Sequence, residues 1–510
     1  MDTSNELMKN VSKNIFPYIY TILIGLLIIG IFYSLFLISA SEITLALVWL
    51  IEGKYKDKFQ RLKKQPYAML WIAMYLLLVI GMLYTSNIKS GLNDLRVKLP
   101  MLLLPLVFAT TYPTEFIKKY FNKFYLFLAF IFVLIPIITL SFGWIDNIKE
   151  IPWYRNHIRA SLLITIAISI ILFANDTVKI KYHQIIHPLL IVLFITFQIL
   201  NASLAPFILS LLIIFICIIS SISKRNKYIA IVAIAIFIIS PPLIFYLSYQ
   251  SYFGIPKNIT NLENIEIENR NAYNPYIIDK SLVKKWNEIS TKQIDEINTI
   301  SDSNYYTLVR FLASKNYPLD STGLKMLNDK EIKAIENKIT NYRLMSSAPL
   351  ERRLYNLYYE IYRVKKDKQI GFYGSLSQRL VYLKAGISLI NEKPLLGWGT
   401  GDVSTAFKNY YQKHYPHVSE KLYRKTHNQF VTIGVALGII GMFLLLILWF
   451  YPIFNKKSRT NLTSLWICIW IIFSTMMLLE DMLEGQQATT MTVFFLTFYS
   501  MFLQPQLKEN

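Results

Sequence analysis

"YIYTILIGLLIIGIFYSLFL", residues 18–37, runs for 20 positions without a formal charge. A helix rises about 1.5 Å per residue, so this segment reaches about 30 Å, the hydrocarbon thickness of a bilayer. "YIAIVAIAIFIISPPLIFYL" at 228–247 repeats the pattern. Candidate spans cover 17–36, 38–52, 67–85, 97–112, 120–144, 157–174, 184–200, 202–222, 228–248, 429–451, 462–480 and 487–504, the second short enough to be re-entrant. Composition agrees, because the 510 residues are 54% hydrophobic and only 17% charged, outside the soluble range. The expected fold class is an all-α polytopic membrane protein with about 12 transmembrane helices, embedded in a lipid bilayer.

Charge placement orients the chain. Lys9 and Lys13 precede the first apolar run and no convincing cleavage context follows, so the run reads as an uncleaved signal anchor. Much of the net charge of +21 sits in "GKYKDKFQRLKKQP" (53–66), "NDTVKIKYH" (175–183), "SKRNKY" (223–228) and "NKKSRTN" (455–461). With the N-terminus inside, all four connections fall in the cytoplasm, as the positive-inside rule requires. The charge is thus an orientation signal, and no nucleic-acid partner is expected. Both termini are then cytoplasmic and 249–428 lies outside.

The expected organisation is an N-terminal transmembrane bundle over 1–248, an extracytoplasmic subdomain over 249–428 and a C-terminal bundle over 429–510. The outer segment is too long to be idle connection. Within it Asn328 and Glu331 form a capping-box pattern, and Ile332, Ile335 and Ile339 follow as one stripe. "PLERRLYNLYYEIYRV" (349–364) reads as a tyrosine-rich helix, and "EIE" (266–268) reads as solvated charge. Cys217 and Cys468 both fall in apolar spans, which leaves no disulfide framework.

The chemistry-bearing residues come late. "SLSQRLVYLKAGISLI" (375–390) opens with a capping-box pattern, Ser375 and Gln378, and predicts a helix over about 376–390. Arg379 shares a face with Leu376, Leu383, Gly386 and Ile390, where a guanidinium needs an anionic partner or must snorkel to water. "NEKPLLGWGTGD" (391–402) lacks the GK[ST] ending of a phosphate loop and reads as a tight turn. His414 and His417 have no spaced carboxylate or cysteine to complete a zinc site. His427 stands where "YRKTHNQF" meets the apolar run, with Arg424 and Lys425 beside it as charges suited to anionic head groups. Behind it Gly434 and Gly438 form a small-xxx-small face for close packing against another span. Glu480, Asp481 and Glu484 lie between the last two spans, placed to bind a cation, to orient His427, to pair with an arginine, or simply to be solvated.

In this order the arginine helix, "PLLGWGTGD" and "THNQFVTIGVALGIIGM" (426–442) resemble the signature region of the O-antigen ligase and O-antigen polymerase superfamily. The resemblance implies a GT-C-like, metal-independent membrane glycosyltransferase in the bacterial inner membrane, without a cofactor. Its donor would be an undecaprenyl-diphosphate-linked glycan. The acceptor hydroxyl would belong to lipid A core, to another glycan repeat or to a protein, with a ligase-like assignment preferred over a polymerase or a protein O-oligosaccharyltransferase. His427 matches the family's catalytic histidine, and Arg379 its outer-loop arginine. Family members also carry an arginine in an "SRG"-like stretch, whereas the corresponding "LNASLAPFIL" (200–209) has none. Arg155 and Arg159 in "WYRNHIRASLL" (153–163) are the best replacement anchors for the diphosphate, and Arg96 is a weaker one. A flippase is the remote alternative; ionisable residues deep inside spans, which ion-coupled carriers need, are almost absent from the sequence.

Overall fold

The computed structural model describes residues 2–145, 148–154, 156–179, 181–256, 264–295, 303–367, 371–372, 374–455 and 463–503. Among these, eight helices are long and apolar enough to cross a membrane: Ile15–Tyr33, Leu35–Glu52, Pro66–Tyr84, Glu115–Ser141, His183–Leu200, Leu204–Ser223, Lys227–Phe253 and Gln429–Phe454. The chain is an all-α polytopic membrane protein. Two more expected spans are the shorter apolar helices His157–Phe173 and Ser464–Leu479. The last two are shorter still: Pro100–Thr110 has 11 residues, and Gln486–Thr497 has 12 before a π turn over Phe498–Phe502. Both are buried along most of their length. A helix enclosed by other helices is as apolar as one facing lipid, so hydropathy alone cannot separate them.

The chain forms two compact units, one comprising 1–198, 205–217 and 379–510, the other 199–204 and 218–378. Inside the first, Phe108 meets Phe494 and Phe498 edge-on at 5.5 and 5.6 Å, and Phe121 lies 4.2 Å from Phe498. Gln198 is fully buried and donates to Ser161 O, Thr165 Oγ1 and Ser210 Oγ at 2.9–3.1 Å, a polar knot tied where water is scarce. A carboxylic acid also sits within a span: Glu42 is buried and accepts from Thr490 Oγ1 at 2.6 Å. The linear hydropathy hid it, because one acidic residue barely changes the average of its apolar run.

The helix Gln429–Phe454 is broken at Gly438, which has φ +64°. Its role is therefore different from the packing face expected of it. The break frees the carbonyls of Val435 and Ala436, and the glycine-rich turn supplies Trp398 N and Gly399 N to them at 2.8 and 2.9 Å. In return Ile439 N donates to Pro394 O at 2.8 Å. A Cβ on Gly438 would stand 2.2 Å from Leu395 O. The far side of the turn is held as well: Thr400 Oγ1 donates to Leu78 O at 2.6 Å, and Asp402 accepts from Ser86 N and Asn87 N. "PLLGWGTGD" is thus a tight turn with a task, since broken backbone in an apolar environment must find partners within the protein.

The second unit holds a two-stranded antiparallel sheet, Glu266–Glu268 against Asn271–Tyr273, with Glu268 opposite Asn271. One core gathers Leu282, Trp286, Leu308, Leu312 and Ile335, with Ile332 and Ile339 packed on it. A second joins Tyr249 and Phe253 to Tyr355, Tyr358 and Tyr362 of the helix Pro349–Asp367. The capping box of Asn328 and Glu331 forms in both directions. The "EIE" carboxylates are not solvated. Glu268 is completely buried, bound by Arg310 through Nε and Nη2 at 3.1 Å and by Asn341 and Tyr355; Glu266 takes Lys366 at 2.7 Å. Their partners lie 42 to 100 residues away in sequence, which no local pattern signals.

Candidate active site

The segment 426–428 turns sharply before the helix that starts at Gln429. Asn428 is the N-cap and accepts from Val431 N at 3.2 Å, a contact worth about 1 kcal/mol. Thr426 Oγ1 accepts from Asn428 N at 3.1 Å and bonds Thr432 Oγ1 at 2.6 Å. Between these two residues His427 takes φ +52°, a left-handed conformation that costs a side-chain-bearing residue about 1–3 kcal/mol. Asp481 compensates: its Oδ2 accepts from His427 N at 3.0 Å, and its Oδ1 from Thr432 Oγ1 at 2.7 Å.

Arg379 arrives on the helix Ser375–Glu392. The start of this helix differs from the expected capping box. Ser377 Oγ accepts from Gly374 N at 3.0 Å, and the carboxylate of Glu360 accepts from the backbone N–H groups of Ser375 and Leu376 at 3.0 and 2.7 Å. A buried anion at a helix N-terminus satisfies several orphan donors at once, and it comes from the preceding helix, Pro349–Asp367. Further along, Gly386 allows close approach, since a Cβ there would lie 2.3 Å from Thr426 Cγ2 and 2.8 Å from Val431 Cγ1.

Glu480 joins the two candidate residues. Its Oε1 binds Arg379 Nη2, and its Oε2 lies 3.0 Å from His427 Nδ1. A carboxylate accepts, so in the neutral imidazole Nδ1 carries the proton and Nε2 keeps its lone pair. Burial pushes the Glu480 carboxyl up, but the His427 hydrogen bond and the Arg379 charge outweigh it and hold the group below the ordinary value. The His427 and Arg379 side chains remain 31% and 32% exposed, so an incoming molecule can reach both. The Tyr382 ring is 5.7 Å from the imidazole, and its hydroxyl is fixed on Leu422 O at 2.7 Å. What results is a histidine oriented by a carboxylate that also holds a guanidinium. Such a set can take a proton from a hydroxyl and bind an anion beside it.

The other acidic residues are half-buried and paired within the protein rather than freely solvated. Burial raises the carboxyl of Asp481, with the Glu484 charge acting in the same direction. Glu484 has Lys98 Nζ on Oε1 at 2.8 Å and Lys425 Nζ on Oε2. Burial works against its ionisation, yet the two lysines prevail and its carboxyl falls to about 2. Lys425 is therefore an internal partner, where its neighbourhood in sequence suggests a lipid contact. Lys98 also pairs with Asp94, and neither residue stood out in the sequence because their partners come from other parts of the chain.

Arg159 lies against this loop: a Cβ on Gly485 would be 2.7 Å from Nη2. Among the described residues its guanidinium has no hydrogen-bond partner. Arg96 is exposed and donates to Asn93 Oδ1 at 2.9 Å, and among the described residues no hydrogen bond or ion pair links it to His427, Arg379 or Glu480. Arg155 lies outside the described residues. Among the described residues no group of three or more His, Cys, Asp or Glu side chains is gathered to hold a metal ion. Residues 344–446 match the family model described as O-antigen ligase, a stretch containing Arg379, the glycine-rich turn and His427 but not Arg159 or the 480–485 loop. No curated protein and no solved structure matches the chain.

Proposed function

We propose that this member of the O-antigen ligase superfamily transfers a glycan from undecaprenyl diphosphate to an acceptor hydroxyl, in the manner of a ligase, at the outer face of the bacterial inner membrane. The observation that carries the reading is the Glu480 carboxylate shared between Arg379 and His427 Nδ1. Nε2 accepts the acceptor's hydroxyl proton as that oxygen attacks the anomeric carbon. The bond from this carbon to the diphosphate oxygen breaks, and undecaprenyl diphosphate leaves with the electron pair. Attack opposite the leaving group inverts the anomeric centre. Arg379 commits one nitrogen to Glu480, and its other N–H groups bind the diphosphate and offset its developing charge. Arg159, whose guanidinium no carboxylate hydrogen-bonds among the described residues, supplies the second anchor in place of the arginine absent from 200–209. In this reading both termini lie inside and 249–428 outside, so that a lipid-tethered donor and a water-exposed acceptor meet at the site.

The test expresses His427→Ala and Arg379→Ala at matched membrane levels in a strain lacking the native gene and measures surface glycan. Loss with both variants is expected. Normal glycan with both would overturn the proposal.

A further inference from the structure

The loop that carries Glu480 and Asp481 is short, lies between two helices, and must hold both carboxylates in place against His427. Its other end is clasped. Gln429 Oε1 accepts from Leu483 N at 2.6 Å, and Gln429 Nε2 donates to Glu484 Oε1 at 3.3 Å. Glu484 is 8% exposed with a lysine on each oxygen, and Lys98, at 2% exposed, also holds Asp94. Two cations and two anions make this quartet neutral, which is the condition under which such charges are tolerated out of water. It draws on three separate stretches of chain: Asp94 and Lys98, then Lys425 two residues before His427, then Glu484 four residues after Glu480. Since each Glu484 oxygen already carries a lysine, the residue is poorly suited to work on substrate directly.

We propose that Glu484, through Lys98 and Lys425, is a positioning residue that locks the 480–485 loop to the 425–429 segment and so keeps Glu480 on His427 Nδ1. The proposal rests on the reading of His427 as general base. Without the clasp the loop shifts, the carboxylate leaves the ring, and the proton-accepting geometry is lost while the diphosphate anchors remain. Turnover suffers, and donor affinity does not.

The experiment uses full-length protein in native membranes from the expressing strain, with the amount of folded enzyme in each preparation set by gel filtration of a detergent-solubilised aliquot. The probe is that strain's own extracted undecaprenyl-diphosphate-linked glycan. Glu484→Gln and Lys98→Met should each lower the maximal rate roughly ten- to hundredfold, the scale of a misplacement of about 1 Å, with half-saturation by donor unchanged. Lys98→Arg should restore the rate, which a role in packing alone would not require. The double variant Glu484→Gln/Lys98→Met removes both sides of one contact and leaves Lys425 and Asp94 to balance one another, so it should fall no further than the slower single variant. Unimpaired single variants, a loss appearing in donor half-saturation instead of rate, or single losses that multiply in the double variant would each overturn the proposal. His427→Ala is assayed alongside. If it keeps its rate, the general-base reading falls and this proposal with it; if it is inactive beside an unimpaired Glu484→Gln, the positioning role alone is refuted.

Discussion

Replacing Glu480 by glutamine changes one atom and should disable the proposed base. Arg379 can only donate, so the amide must turn its oxygen toward the guanidinium. Its NH2 then faces His427 Nδ1, where the carboxylate oxygen stood at 3.0 Å. Two donors cannot share that contact, so Nδ1 must accept and the ring proton moves to Nε2. The lone pair that would receive the acceptor's proton is gone. General-base catalysis contributes about 10²–10⁴ in rate, so the maximal rate should fall by that factor, or about 2.7–5.5 kcal/mol in barrier. The donor's half-saturation should not rise, because Arg379 loses a competing anion and keeps its N–H groups for the diphosphate. The assay is initial-rate transfer from lipid-linked glycan across a donor titration, at equal amounts of folded protein. A Glu480→Gln rate within about threefold of wild type would refute the tautomer argument.

Gly438→Ala should be poorly folded: φ +64° with ψ −161° is a conformation essentially confined to glycine and costs an L-residue about 1–3 kcal/mol, and the new Cβ would press on Leu395 O at 2.2 Å. A fall in detergent Tm and in membrane yield checks this, and a wild-type melt would count against the broken-helix account. The acid response of Glu484 has a definite sign. Its folded pKa, about 2, lies below the ordinary 4.5 because, against the effect of burial, Lys425 and Lys98 favour the charged form. The unfolded chain therefore binds its proton first. The stabilisation is complete above pH 4.5 and is lost as pH falls toward 2, so Tm should decline through that window. Glu484→Gln should lack this component of the decline; equal acid slopes for wild type and variant would contradict the clasp.

Legibility followed the range of the interaction. The Asn328 cap and its isoleucine stripe span a dozen residues and were readable as a pattern. The Arg379 helix was readable in extent, but its cap was not, because Glu360 belongs to another helix. Gly438 shows the same limit from the other side. In sequence it is one of two glycines four apart and suggests close packing, whereas the left-handed conformation is stable only because Trp398 N and Gly399 N take the freed carbonyls. The acidic "LLEDMLEGQQ" gave three carboxylates without assigning them, and each has a different partner set.

The sequence by itself determined that the chain is a helical membrane protein, since apolar runs of bilayer length have few ways to satisfy their backbone except as helices. It also singled out Arg379 and His427, through a resemblance carried by ordered motifs. Only the tertiary structure decided that one carboxylate, 101 residues from Arg379 and 53 from His427, binds both. Helices are written locally by hydrogen bonds four residues apart. A buried charge instead requires an opposite charge from whichever segment the fold brings near, and that choice is made by packing.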